Sequence, residues 1–310
     1  MKNTINKSLG NPSEWRSRPP KPILTAMSDI HPKSLLAMTA LLIGTAILCA
    51  GCSAQKKPQQ PTDSNPVVVT VEAVPDAVAP GESVTLVYRF VLAADWHLYW
   101  AGRNDSGFPP LIDLELPDGW LAGGLQWPAP ERHVSPGDIL DHVYFGELVL
   151  IQKIGAPKDA QAGRKVAIKA DVQWLACKDM CVPGRTGLSV EIPVKTQVVA
   201  TEPNPASKAA ARLPGPLPDR TLETEWEGAT FHIHDPRARR LIFMPTEDCG
   251  QLVDLLNDGQ GDRLALRFKP RGGTVGPVRG LLTIENEGGD SFTYTIQFPA
   301  TVFPDAPSGG

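Results

Sequence analysis

The chain has no concentrated block of lysine and arginine: 30 basic residues stand against 34 acidic ones, a formal net charge of −4 over 310 residues. Nucleic-acid binding through phosphates needs a basic patch, so that class of partner is excluded. No Gly-rich phosphate loop, nucleophile elbow or zinc-protease signature occurs, which leaves nucleotide and hydrolase chemistry without support. Long apolar runs are missing except for one, between Leu35 and Leu48, so a chain that crosses a bilayer repeatedly is excluded. Helical periodicity of any length is absent before residue 200. What the chain has in quantity is turn-forming material, 28 Gly and 31 Pro, the proline share being about twice ordinary usage. With 42% hydrophobic and 21% charged residues it still supports packed domains, and its length suggests about two of them.

The single apolar run follows Lys33 and ends in the small residues Ala50 and Gly51, which fits a secretory signal better than a spanning helix of about 20 apolar residues. A start at Met27 would give such a signal a conventional length, so residues 1–51 are set aside from fold reasoning. The stretch Leu48-Cys49-Ala50-Gly51-Cys52-Ser53 resembles the lipobox of bacterial lipoproteins, with Cys49 where Leu is usual. That resemblance implies lipidation at Cys52 and attachment to a membrane through a lipid anchor; the alternative is an ordinary cleaved signal with an incidental cysteine. Residues 52–65, rich in Gln, Lys, Pro and Ser, read as a tether.

From Val67 the hydrophobic period is close to two. Val67 to Val74 and Ser83 to Leu92 are β-branched runs separated by Pro80-Gly81-Glu82, and further runs follow at Leu111 to Leu116, Val143 to Ile154, Lys165 to Trp174 and Gly187 to Val194. Short strands at this spacing predict an all-β fold, a sandwich over residues 66–200. Residues 201–219 form a Pro/Ala-rich linker. A second, smaller β-rich domain is expected over 220–304, with strands near Thr230 to His234, Leu241 to Met244, Arg263 to Phe268, Gly280 to Ile284 and Phe292 to Phe298, and a tail over 305–310.

Of five cysteines, Cys49 leaves with the signal and Cys52 is taken by lipid, which leaves Cys177, Cys181 and Cys249. Beyond the inner membrane the compartment is oxidising, so the close pair Cys177 and Cys181 is expected to form or shuttle a disulfide. Helical positions four apart hold their Cβ atoms about 5–6 Å apart, against about 3.8 Å for a disulfide, and Pro183 and Gly184 oppose a helix, so a turn or hairpin between two strands fits better. A ring this small removes only about 2 kcal/mol of unfolded-state entropy, a weak staple for a domain with its own core. Spacing alone leaves three roles open: a redox-active pair, a structural bridge or half of a metal site. Lys178 and Arg185 would lower a thiol pKa there, and Asp179 would raise it.

Three blocks then fall into order: Asp95-Trp96-His97-Leu98-Tyr99-Trp100 with Asp105-Ser106-Gly107-Phe108-Pro109; Leu125-Gln126-Trp127-Pro128-Ala129-Pro130-Glu131-Arg132 with Val143-Tyr144-Phe145-Gly146-Glu147; and Trp174-Leu175-Ala176-Cys177 with Met180-Cys181-Val182-Pro183-Gly184. Together they resemble the N-terminal periplasmic domain of the DsbD family of thiol:disulfide interchange proteins, including its ScsB-like relatives. The resemblance implies an immunoglobulin-like β-sandwich with Cys177 and Cys181 at one end. It also implies exchange of electrons with a membrane-embedded donor of DsbD type or thioredoxin-like periplasmic proteins, and a cap loop over the sulfurs. By position the cap falls in His133 to His142, with Ile139 and Leu140 as the covering residues. The family's multi-span domain and its thioredoxin-like domain have no counterpart in this sequence.

The reading is an envelope thiol:disulfide interchange protein using Cys177 and Cys181, with no cofactor. The alternatives are a non-catalytic lipoprotein that binds another envelope protein and keeps a structural bridge, and a copper-handling protein that gathers His97, His133 and His142 around the cysteines. Trp96, Tyr99 and Trp174 are expected to frame the site, as core or rim aromatics. His232 and His234, two apart on a strand, share a face as a metal pair would, though exposed strand histidines are commoner. Cys249 is expected to be a buried small hydrophobe.

Overall fold

The computed structural model describes residues 60–199, 201–218, 222–254, 256 and 259–302. The signal region, Cys52, most of the tether and the tail lie outside the described residues. Ten strands build the first unit: β1 (Val67–Val74), β2 (Ser83–Leu92), β3 (His97–Tyr99), β4 (Leu111–Glu115), β5 (Leu121–Gln126), β6 (Glu131–Ser135), β7 (Ile139–Phe145), β8 (Glu147–Gly155), β9 (Lys165–Cys177) and β10 (Cys181–Pro193). One sheet runs β1-β2-β8-β5; the other runs β10-β9-β3-β7-β6, with β4 also on β9, and all these pairings are antiparallel. The two sheets enclose one core, so the unit is an immunoglobulin-like β-sandwich.

Strand alternation decides which residues meet in that core. On β2 the even-numbered Val84, Leu86, Tyr88, Phe90 and Leu92 turn inward; on β8 Leu148, Leu150 and Ile154 do; on β9 Ile168, Ala170, Val172, Trp174 and Ala176 do. Val87, Val149 and Ile151 face the other way, and a short helix, α1 (Pro205–Ala210), covers them with Ala209. Asn204 caps that helix by accepting from Ser207 N, while Ser207 Oγ accepts from Asn204 N. The Pro/Ala-rich stretch is therefore a docked element rather than a bare spacer.

The second unit is also all β. It comprises β11 (Gly215–Pro216), β12 (Glu223–Glu227), β13 (Thr230–His234), β14 (Ala238–Pro245), β15 (Gly259–Gln260), β16 (Arg263–Arg267), β17 (Thr274–Val275), β18 (Val278–Asn286), β19 (Ser291–Phe298) and β20 (Thr301–Val302). The sheet β11-β19-β18-β14-β15 and the sheet β12-β13-β16 share a core of Phe231, Ile233, Leu241, Phe243, Leu264, Leu266, Phe268, Leu282 and Ile284. Met244 and Leu281 point out of it into the first unit's core cluster, so the described residues of the two β units form one compact body.

Candidate functional site

The β9–β10 hairpin brings the cysteines together. Its two strands pair over thirteen positions, ending with Cys177 opposite Cys181 across the loop Lys178-Asp179-Met180. The pair is a disulfide with Cα atoms 4.1 Å apart. Cys177 is only 3% exposed, whereas Cys181 is exposed and Met180 beside it is 69% exposed. Trp174 lies across Gly184 on the neighbouring strand, where a Cβ would stand 2.2 Å from the indole, so only glycine fits there.

Alternation places the bridge on the outer face of the sheet. Ala176 and Trp174 face the core, so Cys177 and Leu175 face away from it. His97 is the cross-strand partner of Cys177, and Phe145 is the partner of His97 one strand further on. Tyr99, Val143, Phe145 and Leu175 form the apolar surround of Cys177. Phe145 ends β7, and Gly146 (φ 67°) then swings the chain into the opposite sheet while its carbonyl accepts from Leu92 N at 2.8 Å. Phe145 is thus, with Tyr99, one of two aromatics packed with Cys177, and it sits at a chain corner.

Ile139 and Leu140, the expected covering residues, stand away from the cysteine row. Phe145 and Val143 stand level with His97 and Tyr99, so Ile139 begins β7 six residues from the cysteine row, and Leu140 has the parity of the opposite face. Trp96 and Trp174 frame the hairpin from the core side. Trp96 donates from Nε1 to Asp63 Oδ1 at 2.9 Å, so the last residues of the expected tether are folded against the site end; Trp174 meets Phe90 edge-on at 6.3 Å. Tyr99 lies on the outer side, packed with Val143 and Cys177.

The loop from Gly102 to Pro110 supplies the far wall. Asp141, itself buried, accepts from Ser106 N at 2.9 Å and from Ser106 Oγ at 2.6 Å, and Tyr99 Oη stands 3.4 Å from the same serine. Gly107 (φ 54°) lets this loop close over the Tyr99 ring, which a Cβ would meet at 2.2 Å. The loop is also tied to the second unit: Arg103 donates to the carbonyls of Gly250 at 2.9 Å and of Cys249, and its backbone N–H donates to Pro245 O at 3.0 Å. Neither the Phe145 corner nor the Arg103 clamp was legible from spacing.

His97 is 7% exposed, with its ring 5.2 Å from Tyr99, 5.5 Å from Phe145 and 5.5 Å from His133. Burial, reinforced by His133 and opposed by Asp141, lowers its pKa. His142 does not join them: its Nδ1 is 2.7 Å from Arg103 O, and burial lowers its pKa too. Lys178 does not face the sulfurs, standing 3.6 Å from Asp95 and 3.8 Å from Asp63, and Arg185 forms a bidentate pair with Asp171 further along the hairpin. His234 is held between Glu223 at 2.8 Å and Asp262 at 2.9 Å, and Cys249 is free and buried. Among the described residues no cluster of three or more His, Cys, Asp or Glu could hold a metal ion.

No helix among the described residues is long and apolar enough to cross a membrane. No curated protein matches the chain. Among solved structures, the N-terminal periplasmic domain of ScsB from Proteus mirabilis aligns at a TM-score of 0.52 and 15% identity, covering 77% of this chain and 96% of that domain, a likeness of fold that includes the second unit. The major pilin subunit BcpA of Bacillus cereus aligns at a TM-score of 0.26 and 8% identity over 77% of this chain and 67% of its own. Residues 65–192 match the family described as thiol:disulfide interchange protein DsbD, N-terminal. That segment, which contains both cysteines and the outer face around them, is similar to the DsbD N-terminal family of periplasmic domains.

Proposed function

We propose that the protein is an envelope thiol:disulfide interchange protein that passes electrons through Cys177 and Cys181 by way of mixed disulfides. One observation carries the reading: the bridge joins an exposed sulfur to a buried one at the tip of a hairpin. A visiting thiolate has a line of approach to Cys181, and the electron pair of the broken bond goes to Cys177. A purely structural bridge has little to hold, since the two strands already pair along thirteen positions and the ring contributes only about 2 kcal/mol.

The partners that fit are thioredoxin-like periplasmic proteins and a membrane-embedded electron donor of DsbD type, because a dithiol partner can attack the exposed sulfur and resolve the mixed disulfide with its second thiol. Cys52 would carry the lipid anchor that keeps the domain at the membrane. Phe145, at the Gly146 corner, is the residue a partner must move or pack against.

The deciding experiment is trapping. A Cys177→Ala chain keeps the exposed thiol and is expected to accumulate mixed disulfides with an oxidised thioredoxin-like protein; Cys181→Ala, with its thiol buried, is expected to accumulate few. Failure of both variants to trap, together with a reduction potential below about −300 mV, would make the bridge structural.

A further inference from the structure

Opening the bridge leaves the fold with a buried anion. Attack on Cys181 expels Cys177 as a thiolate, and Cys177 is 3% exposed among Tyr99, Val143, Phe145 and Leu175. A thiolate in apolar surroundings is disfavoured, and a sulfur whose thiol pKa is raised leaves slowly. Something polar has to meet it. Neither basic residue near the hairpin does so, since Lys178 is turned to Asp63 and Asp95 and Arg185 to Asp171.

His97 does. It is the cross-strand partner of Cys177, so the two side chains leave the same face of the sheet with Cβ atoms about 4.5–5.5 Å apart. Its ring is fixed on three sides by Tyr99, His133 and Phe145. We propose that His97 receives Cys177 as the bridge opens, donating a ring N–H to the departing sulfur and passing it a proton, and takes that proton back when the bridge reforms. The proposal rests on the exchange reading above and names the proton route of that same site.

The titratable and charged groups facing His97 are few. His133 comes from β6, Asp141 from β7 and Tyr99 from its own strand; Cys177 faces it from β9. His133 is less buried than His97, so it links the inner ring to solvent. Tyr99 Oη, 3.4 Å from His97 Nε2, holds the ring from the other side. Burial keeps the resting imidazole neutral, which suits a group that relays a proton rather than a fixed cation.

The step balances. A partner thiol ionises, and its thiolate attacks Cys181 Sγ; a bond forms between those sulfurs and the Cys177–Cys181 bond breaks. The electron pair stays on Cys177 Sγ. The proton the partner's thiol gave up reaches the free ring nitrogen of His97 from the His133 side as the opposite ring N–H passes its proton to Cys177 Sγ, so the imidazole is neutral before and after the step. The partner's second thiol then displaces Cys181, so that two electrons and two protons have moved from the partner dithiol to the pair and the partner is left oxidised.

The test uses the full chain, oxidised, as wild type, His97→Phe and His97→Gln. Its readouts are the second-order rate of reduction by dithiothreitol from pH 5.5 to 9 and, after reduction, the pH dependence of Cys177 alkylation. His97→Phe keeps a planar ring but has no N–H; it is expected to lower the rate at pH 7 at least about ten-fold and to move the Cys177 alkylation midpoint upward. His97→Gln keeps an N–H without a titrating group; it is expected to recover part of the rate but not the wild-type pH profile. Superimposable pH profiles for wild type and His97→Gln would overturn the proposal, even if His97→Phe fails to fold. A wild-type pair that small thiols and thioredoxin-like proteins cannot open would instead sink the exchange reading itself.

Discussion

The two β units treat sulfur on opposite terms. In the first, strand parity puts Cys177 on an outer sheet face and the hairpin tip leaves Cys181 open to solvent. In the second, Cys249 is 5% exposed within the hydrophobic core, burial pushes its thiol pKa up, and Arg103 closes the chain over it by donating to its carbonyl. Both are cysteines of one chain, and placement separates them. Reactivity follows exposure at a chain turn and the polarity of what stands opposite, not the presence of a thiol.

The sharpest way to break this contrast is to exchange the roles by mutation. Cys181→Ala is expected to abolish exchange with a thioredoxin-like protein, whereas Cys249→Ala leaves the rate within about two-fold of wild type; stopped-flow fluorescence of the partner reads both. Equal losses would mean that the contrast is false. A smaller effect is expected at the corner of β7. Phe145→Ala removes an aromatic from the surround of Cys177 and should speed reduction by dithiothreitol several-fold, while costing about 1–3 kcal/mol in chemical denaturation.

How much of this was legible beforehand depended on whether the information was local. The long runs that became β1, β2, β9 and β10 announced themselves by β-branched alternation, and Pro183-Gly184 beside the cysteines pointed to a hairpin. Eight did not: β3 has three residues, β5 carries Gly123-Gly124 and a register shift, β6 and β12 are largely polar, and β11, β15, β17 and β20 have two residues each. The capping box Asn204-Pro205-Ala206-Ser207 was a local signal for the helix inside the expected linker. The site was half visible. Two sulfurs four positions apart speak for themselves, but the neighbour of Cys177 is fixed by cross-strand register, which no local pattern records. His97 therefore stood out only as a candidate metal ligand, and Phe145, which packs with Cys177, was not singled out. Testing parity against the run Ile139 to Phe145 would have excluded Leu140.

Arg103 is the point where the two units can be uncoupled. It reaches from the loop that walls Tyr99 to the carbonyls of Glu247, Cys249 and Gly250. Arg103→Ala leaves the part-buried carbonyls of Cys249 and Gly250 without this donor and is expected to cost about 1–3 kcal/mol. The diagnostic readout is local: alkylation of Cys249 in the native protein should accelerate several-fold, with a smaller change in the exchange rate of Cys181. An unchanged Cys249 rate would show that the second unit protects its thiol without help from the first.

The smallest expected effect is also the one with opposite signs in the two units. His97 and His142 in the first unit have pKa values lowered chiefly by burial, so their unfolded forms bind protons more readily. The stability linked to them is present above the ordinary histidine value of about 6.5 and is lost as pH falls towards their folded values. His234 in the second unit is raised, first by its hydrogen bond to Glu223 and then by that to Asp262, so its contribution is complete below about 6.5 and is lost as pH rises through its folded value. Asp262, lowered by the same hydrogen bond, sets the acid limit of that contribution, which fades as pH falls through its own depressed value. Hydrogen exchange at pH 5.5 and 8, corrected for intrinsic rates, separates the two. Amides of β3 and β7 are expected to lose protection in acid and those of β12 and β13 to gain it, and His234→Gln should cancel only the gain. If both regions moved in the same direction, the opposed histidine environments would have no thermodynamic weight, and the division between an acid-sensitive first unit and an acid-tolerant second one would have to be abandoned.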